Sequence, residues 1–143
     1  MPFHTELSHR PKPCRYLLLR CIEPWIAPRG DDAPRLANHR LFELHLLEGA
    51  PILVRTGRRS FYSTILSPDR VFLRYDPGCL EAVDERGQAA LRLMERRLAG
   101  GSPEVHHWHQ GDILVIDNWR VLHGRGPTST DQRLTMIAQQ QKA

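Results

Sequence analysis

Short apolar runs separated by turn residues recur along the chain and predict a mainly β fold. Residues 15–21 are apolar with few breakers, which is typical of a buried strand. Three β-type runs follow in the middle of the chain, divided by Thr-Gly-Arg and Ser-Pro-Asp turn signals. Three more lie towards the C-terminus. The six later strands are predicted at residues 52–56, 60–66, 71–75, 105–109, 113–116 and 134–138.

Two helices are predicted between these strands. Asp31, with a proline in the first turn after it, indicates a helix start, and an apolar stripe then continues to Gly49. Asp84 is the predicted N-cap of a second helix over residues 85–98, which a Gly-Gly pair closes. About seven strands with two inserted helices predict an all-β sandwich or jelly roll with helical crossovers.

The composition is that of one globular domain. Of the 143 residues, 41% are hydrophobic and 25% charged, which favours a single packed core over a disordered chain. No apolar stretch approaches the length that crosses a bilayer, and the opening MPFHTELSHR has no apolar leader. The three cysteines form no CxxC pair, which argues against a disulfide scaffold or a cysteine zinc site. We therefore expect a cytoplasmic protein without membrane contact.

The net charge of +4 comes almost entirely from arginine. A basic balance can indicate a nucleic-acid partner. Here acidic residues are interspersed among the arginines, and no RNP-like or zinc-finger pattern accompanies them. We therefore expect a solvated surface and no nucleic-acid partner.

The segment His4-Thr5-Glu6 places an imidazole and a carboxylate two positions apart. On an extended segment the two side chains share one face, so both can reach one metal ion. With 8 histidines and 16 acidic residues in the chain, about one such pair is expected by chance, so the motif alone means little.

A second stretch, GDILVIDNWRVLHGR at residues 111–125, is more informative. Its apolar strand leads to Asp117 and Asn118, the chain continues to His123, and Arg133 follows on the expected return strand. An imidazole and a guanidinium on adjacent antiparallel strands suit a metal chelated by a dicarboxylate, because the guanidinium pairs with the distal carboxylate. Two histidines and one carboxylate form the facial triad of non-haem Fe(II) oxygenases, which leaves one face of the metal open.

These motifs resemble the taurine dioxygenase/clavaminate synthase-like superfamily of Fe(II)- and 2-oxoglutarate-dependent oxygenases. The pattern GDxLxxDNxRxLHGR with a following QRL resembles the C-terminal end of these enzymes. FHTEL followed by RYLLLRC resembles the segment that supplies their first two iron ligands, and RYDPGC resembles their middle region. HxE in place of HxD is similar to the clavaminate synthase-like branch, which includes hydroxylases of free or carrier-bound amino acids.

The resemblance implies an iron site with His4, Glu6 and His123 as ligands and with Arg133 binding the 2-oxoglutarate carboxylate. It implies no catalytic residue beyond the metal ligands. The expected cofactors are Fe(II) and the co-substrate 2-oxoglutarate, and the expected reaction is hydroxylation of a small amino-acid-like metabolite. A carboxylate at Glu6 favours a hydroxylase or desaturase, because related halogenases have a small residue there that leaves room for chloride.

The resemblance also implies a double-stranded β-helix (jelly roll) with two inserted helices, as a single domain over residues 1–143. Family members have a long portion before the HxE/D motif, so we expect this domain to be incomplete at its N-terminus. A missing strand would expose an unpaired sheet edge, so we expect a homo-oligomer or an edge-paired partner. The alternative is a truncated or degenerate member of the same fold that does not catalyse.

Other aromatic and imidazole side chains have two interpretations. His106, His107 and His109 suggest zinc, but no cysteine or carboxylate at ligand spacing completes the set, so an exposed polar strand face is preferred. Trp119 could line the site, and a packed core aromatic is at least as good an interpretation.

Four charged residues outside the ligand set also leave alternatives open. Arg74 and Asp76 could contact substrate or lie on a surface strand. Arg120 and Arg125 are expected to form structural ion pairs with aspartates of the same motif rather than to catalyse.

Overall fold

The structure, a computed structural model, describes residues 2–22, 34–38, 44–102 and 104–125, which form mainly strands with two helices. The mainly β fold expected from the apolar runs is confirmed. The elements are β1 (Tyr16–Arg20), β2 (Pro34–Asn38), α1 (Leu44–Gly49), β3 (Ile52–Thr56), β4 (Arg59–Ser63), β5 (Leu80–Ala82), α2 (Glu85–Gly100), β6 (Glu104–Val105), β7 (Ile113–Asp117) and β8 (Val121–Arg125). Their pairs are antiparallel, in three small sheets ordered β1-β7, β6-β2-β8 and β4-β3-β5.

The β1-β7 sheet shows the two-residue alternation of a strand. Leu17 pairs with Ile116, and both are buried. Leu18 pairs with Val115, and both are exposed on the opposite face. The sheet therefore has apolar side chains on two faces, of which only one is covered among the described residues.

The main core lies between the two helices and β3. Its fully buried members include Leu47 of α1, Ile52 of β3 and Met94 of α2. Each such side chain contributes roughly 1.5–3 kcal/mol through its removal from water. No described helix is long and apolar enough to cross a membrane.

The helix α2 begins as the sequence predicts. The Asp84 side chain accepts a hydrogen bond from the Gly87 backbone N–H at 2.8 Å, which satisfies one of the free amides of the first turn. Gly87 also permits close packing, because a Cβ at this position would lie 2.5 Å from the Pro51 carbonyl oxygen. The N-terminus of α2 is thereby fixed against the start of β3.

The first predicted helix is wrong over Pro34–Asn38. This segment is a strand, β2, and it pairs with β6 on one side and with β8 on the other. A short run with apolar residues is compatible with a helix or a strand. Here the strand forms because the backbone of β8 pairs with this segment along its whole length. Among the described residues, the helix covers Leu44–Gly49. The remainder of the predicted helix, residues 31–33 and 39–43, lies outside the described residues.

The predicted strand over residues 71–75 is also wrong. Among the residues that the structure describes, its one β-bridge joins Leu73 to Leu66. The backbone N–H groups of this segment instead bond to different parts of the chain. Leu73 N–H donates to the Trp119 carbonyl oxygen, and Tyr75 N–H donates to the Thr5 hydroxyl. These partners come from distant parts of the chain, and no local pattern indicates them.

The other predicted strands differ mainly in their bounds. The strand expected at residues 60–66 runs over Arg59–Ser63. The strand expected at residues 105–109 is reduced to Glu104–Val105, because the chain then turns and the Asp112 carboxylate accepts from the His109 N–H at 2.7 Å. The strand expected at residues 134–138 lies outside the described residues.

Candidate metal centre

The backbones of His4 and His123 pair as an isolated antiparallel bridge. The His4 N–H donates to the His123 carbonyl oxygen at 2.9 Å, and the His123 N–H donates to the His4 carbonyl oxygen at 3.2 Å. His123 lies in β8, where it is opposite Leu36 of β2. Directly opposed residues place their side chains on one face, so the two imidazole rings lie 4.5 Å apart between centroids.

Glu6 brings a carboxylate to the two imidazoles. Its Oε2 lies 3.6 Å from His4 Nε2 and 3.6 Å from His123 Nε2. One ligand atom of each residue lies within 4.8 Å of the others, and no other such group of three is found among the described residues. Adjacent ligands about 2.1 Å from a metal are themselves about 3 Å apart, so a small closure would bring the three onto one ion.

Several polar atoms of this cluster have no hydrogen-bond partner among the described residues. They are Glu6 Oε2 and both ring nitrogens of His123, and all three are buried. His4 Nδ1 contacts the Pro2 carbonyl oxygen at 3.0 Å, which leaves Nε2 on the side of Glu6. Buried polar groups are rarely left unpaired, so this pattern fits a site for a cation.

The charges of the cluster favour an ionised carboxylate. Contacts with His123 and then His4 hold the pKa of Glu6 well below its usual range. Burial by itself would lower the pKa of His4, but the Glu6 carboxylate and the Pro2 carbonyl outweigh it, so the pKa is raised. Glu6 is therefore available as an anionic ligand at neutral pH.

Asn118 holds the backbone at Glu6. Its Oδ1 accepts from the Glu6 N–H at 2.8 Å, and its Nδ2 donates to the carbonyl oxygens of Glu6 at 3.1 Å and Cys14 at 2.7 Å. The sequence indicated Asn118 only as part of the DN motif, where its position directly after β7 was the available signal.

Thr5, between the two candidate ligands, ties the segment to the middle of the chain. Its hydroxyl donates to the Leu73 carbonyl oxygen at 3.0 Å and accepts from the Tyr75 N–H at 3.1 Å. Its own N–H donates to the Tyr75 carbonyl oxygen at 2.7 Å. The side chain is completely buried, so these contacts are shielded from water.

Arg74 is a buried anchor, so neither interpretation of it as a substrate contact or a surface arginine is supported. It is 1% exposed, and its guanidinium donates to the carbonyl oxygens of Ser8, of Arg10 at 2.6 Å and of Pro11 at 2.8 Å. Burial lowers the pKa of Arg74 to about 10, so the group stays charged at neutral pH. Asp76, the second such candidate, accepts from the Ser8 hydroxyl at 3.2 Å.

The histidine-rich segment after β6 gathers around one carboxylate. His106 Nε2 and His109 Nδ1 lie 3.6 Å and 3.5 Å from Asp112 Oδ2, and His107 is exposed. These residues do not meet the ligand spacing of a metal site among the described residues. The exposed polar strand face expected here is not formed, because β6 ends at Val105 and His106 is only half-exposed.

Trp119 and Arg120 have structural contacts. The Trp119 indole N–H donates to the Pro13 carbonyl oxygen at 2.9 Å. Arg120 Nε lies 3.9 Å from Asp117 Oδ2, the ion pair expected from the sequence. The side chain of Arg125 and the whole of Arg133 lie outside the described residues.

The family model described as Taurine catabolism dioxygenase TauD, TfdA family matches residues 25–138. This span is most of the chain, so the chain belongs to the TauD/TfdA family, as its motifs indicated. His123 and Arg133 lie within the matched residues, and His4 and Glu6 precede them. No curated protein sequence matches the chain.

Solved structures of non-haem iron oxygenases share the fold. An asparagine oxygenase in complex with Fe(II), 2S,3S-3-hydroxyasparagine and succinate is 21% identical with a TM-score of 0.75, over 94% of this chain and 46% of that chain. The non-haem iron oxygenase OrfP in complex with Fe and alpha-ketoglutaric acid is 22% identical with a TM-score of 0.72, over 90% and 44%. OrfP in complex with Fe, succinate and (3S)-hydroxy-L-Arg is 19% identical with a TM-score of 0.73, over 90% and 47%. The chain thus spans less than half the length of these proteins.

Proposed function

We propose that the chain is an Fe(II)- and 2-oxoglutarate-dependent dioxygenase that hydroxylates a small amino-acid-like metabolite. The observation that carries this proposal is the convergence of His4, Glu6 and His123, with unpaired buried ligand atoms, in a chain of the TauD/TfdA family. A double-stranded β-helix, in one domain over residues 1–143, is the architecture we propose around this site.

His4, Glu6 and His123 would hold the iron. Two neutral imidazoles and one carboxylate suit Fe(II) and leave positions open for other ligands. His4 is suited to bind through Nε2, because its Nδ1 already contacts the Pro2 carbonyl. Glu6 enters the site as a carboxylate, since its pKa is held well below its usual range by His123 and His4. The donor set therefore fits Fe(II) in both charge and composition.

Arg133 would bind the distal carboxylate of 2-oxoglutarate through a paired guanidinium–carboxylate contact. This assignment rests on the motif, in which Arg133 follows His123 by ten residues, and on the presence of alpha-ketoglutaric acid with Fe in the OrfP structure. A planar guanidinium presents two parallel donors, which suits a carboxylate better than an ammonium does. When bound, Fe(II) would activate O2 as the oxidant: 2-oxoglutarate would be oxidised to succinate and CO2 and take up one oxygen atom, and the second oxygen atom would be inserted into the substrate C–H bond.

A free or carrier-bound amino acid is the substrate class we propose. The related structures contain hydroxylated asparagine and hydroxylated arginine. Glu6 occupies the ligand position with a carboxylate, which favours hydroxylation over halogenation. This chain covers less than half of those proteins, so substrate choice needs its own test.

A non-catalytic member of the family is the second candidate. The chain spans 44–47% of the related structures, so their activity is not transferred to it without a test. Such a protein would keep the cluster of His4, Glu6 and His123 and bind metal without turnover. Metal binding and turnover therefore have to be measured separately.

Homo-oligomerisation is the association state we propose. Its support is the face of the β1-β7 sheet that no described residue covers, where Tyr16, Leu18, Ile113 and Val115 are all exposed. Contiguous apolar surface of this kind is uncommon on monomers and favours association.

Succinate formation tests the enzyme directly. The chain is supplied with Fe(II), ascorbate and 2-oxoglutarate, and succinate is measured with and without L-asparagine or L-arginine. Substrate-dependent succinate that is lost in His123→Ala and kept in His107→Ala, a change of an exposed histidine, supports the dioxygenase. Iron binding without succinate, both without substrate and across a panel of free and carrier-bound amino acids, supports the non-catalytic member. Absence of iron binding overturns both.

A further inference from the structure

We propose that Asn118 is a positioning residue that sets the place of Glu6 in the metal centre. This inference rests on the proposed function, because it treats Glu6 as an iron ligand. Glu6 is the only carboxylate in the cluster, and its Oε2 lies at equal distances of 3.6 Å from the two imidazoles. The place of its backbone therefore decides whether the three ligand atoms meet.

The Asn118 amide holds both peptide groups that flank Glu6. Oδ1 accepts from the Glu6 N–H at 2.8 Å, and Nδ2 donates to the Glu6 carbonyl oxygen at 3.1 Å. The partners fix the orientation of the amide, because a backbone N–H can only donate and a carbonyl oxygen can only accept. Nδ2 also donates to the Cys14 carbonyl oxygen at 2.7 Å, so the same group holds a second point of the N-terminal segment.

The backbone directly after Glu6 is strained and needs such support. Leu7 has φ +55°, in the left-handed region, which costs a residue other than glycine about 1–3 kcal/mol. A conformation of this kind persists only where its surroundings hold it. Asn118 holds the chain before Leu7, and Arg74 holds the Ser8 carbonyl after it. Loss of the Asn118 contacts would let Leu7 relax and Glu6 move with it.

Asn118 is itself well fixed. It is 1% exposed, and its N–H donates to the Arg15 carbonyl oxygen at 2.7 Å. It follows β7, which pairs along its length with β1, and precedes β8, which carries His123. One short stretch of chain thus supplies an imidazole ligand and the amide that holds the carboxylate ligand.

Two variants separate the functions of the amide, and a third is a matched control. Asn118→Ala removes every side-chain contact with Glu6 and Cys14. Asn118→Asp keeps the volume and an oxygen for the Glu6 N–H, but as a carboxylate it has no donor for the two carbonyl oxygens. Trp119→Phe removes the neighbouring hydrogen bond to the Pro13 carbonyl and leaves Glu6 untouched. Circular dichroism shows which variants fold, and Asn118→Asp replaces Asn118→Ala if the alanine variant does not.

The first measurement uses the metal-free chain and follows exchange of the Glu6 amide hydrogen by NMR. We expect faster exchange in Asn118→Ala and retained protection in Asn118→Asp and Trp119→Phe, because only the alanine removes the acceptor. If Asn118→Ala does not fold, Asn118→Asp is the test, because it loses the donor to the Glu6 carbonyl oxygen. It should then loosen the turn after Glu6, seen as faster exchange of the Ser8 amide, whose N–H donates to the Thr5 carbonyl oxygen at 3.2 Å. Parent-like exchange throughout the segment in every folded Asn118 variant overturns the inference, whatever the metal does.

The second measurement titrates Co(II) and records its visible absorption, whose intensity and position report the coordination. We expect Asn118→Ala and Asn118→Asp to bind Co(II) roughly 10-fold to 100-fold more weakly, with an altered spectrum, and Trp119→Phe to match the parent. An equal loss in Trp119→Phe, or parent-like binding in the Asn118 variants, overturns the positioning role. Failure of the parent to bind Co(II) overturns the proposed function, and the metal half of this inference with it.

Discussion

The backbone pairing of His4 with His123 brings together two candidate iron ligands from opposite ends of the described chain. Because each residue donates its N–H to the carbonyl oxygen of the other, neither imidazole can move along its segment without breaking the bridge. The same bridge therefore attaches the N-terminal segment to β8 and sets the two imidazoles side by side. A change that detaches the segment should also weaken metal binding.

The first prediction concerns the metal. Anaerobic addition of Fe(II) and 2-oxoglutarate should give the weak visible charge-transfer absorption of a keto acid that chelates iron. His123→Ala should abolish it, because His4 and Glu6 alone cannot hold the ion. His107→Ala, a change at an exposed histidine, should leave the absorption unchanged. A band that persists in His123→Ala would remove His123 from the site.

The second prediction concerns the co-substrate. A charge-assisted hydrogen bond contributes roughly 1.5–3 kcal/mol, so Arg133→Gln should raise the dissociation constant of 2-oxoglutarate about tenfold or more. Arg133→Lys should restore only part of the affinity, because a point charge does not reproduce the paired donors. Titration of the charge-transfer absorption measures both. Parent-like affinity in the two variants would show that another residue binds the carboxylate.

The third prediction concerns Arg74 and stability. Arg74→Met should lower the free energy of unfolding by roughly 1–3 kcal/mol, because the carbonyl oxygens of Ser8, Arg10 and Pro11 lose their donor and the Ser8 contact is buried. Urea denaturation measures the change. The matched control is Arg58→Met at an exposed arginine, which should stay within about 0.5 kcal/mol of the parent. Equal effects of the two changes would contradict the anchoring role.

The fourth prediction concerns association. Light scattering should give a mass of at least two copies, because Leu18 and Val115 on the apolar face of the β1-β7 sheet are exposed among the described residues. Val115→Glu should lower that mass by placing a charge in the middle of this face. Val83→Glu, at an exposed valine outside the sheet, should leave the mass unchanged. A monomeric parent chain would rule out the proposed homo-oligomer.

Some of the fold could be predicted because its signals are local. The cap of α2 depends on Asp84 and on amides within one turn of it. The strand Ile52–Thr56 has the predicted bounds, since its apolar alternation and its flanking turns lie in one short stretch. The motif residues His4, Glu6 and His123 were likewise selected from short patterns, and their role as iron ligands stays a prediction.

What the sequence determined by itself is the elements whose signals lie in one short stretch, such as α2 and β3, and the residue types able to bind a metal. Only the tertiary structure decided that Pro34–Asn38 is a strand, because its backbone partners are in β8 and β6. The tertiary structure likewise buried Arg74 and placed Asn118 against Glu6. Hydrogen bonds between distant segments satisfy backbone groups that local propensity leaves free, and no neighbouring residue in the sequence specifies those partners.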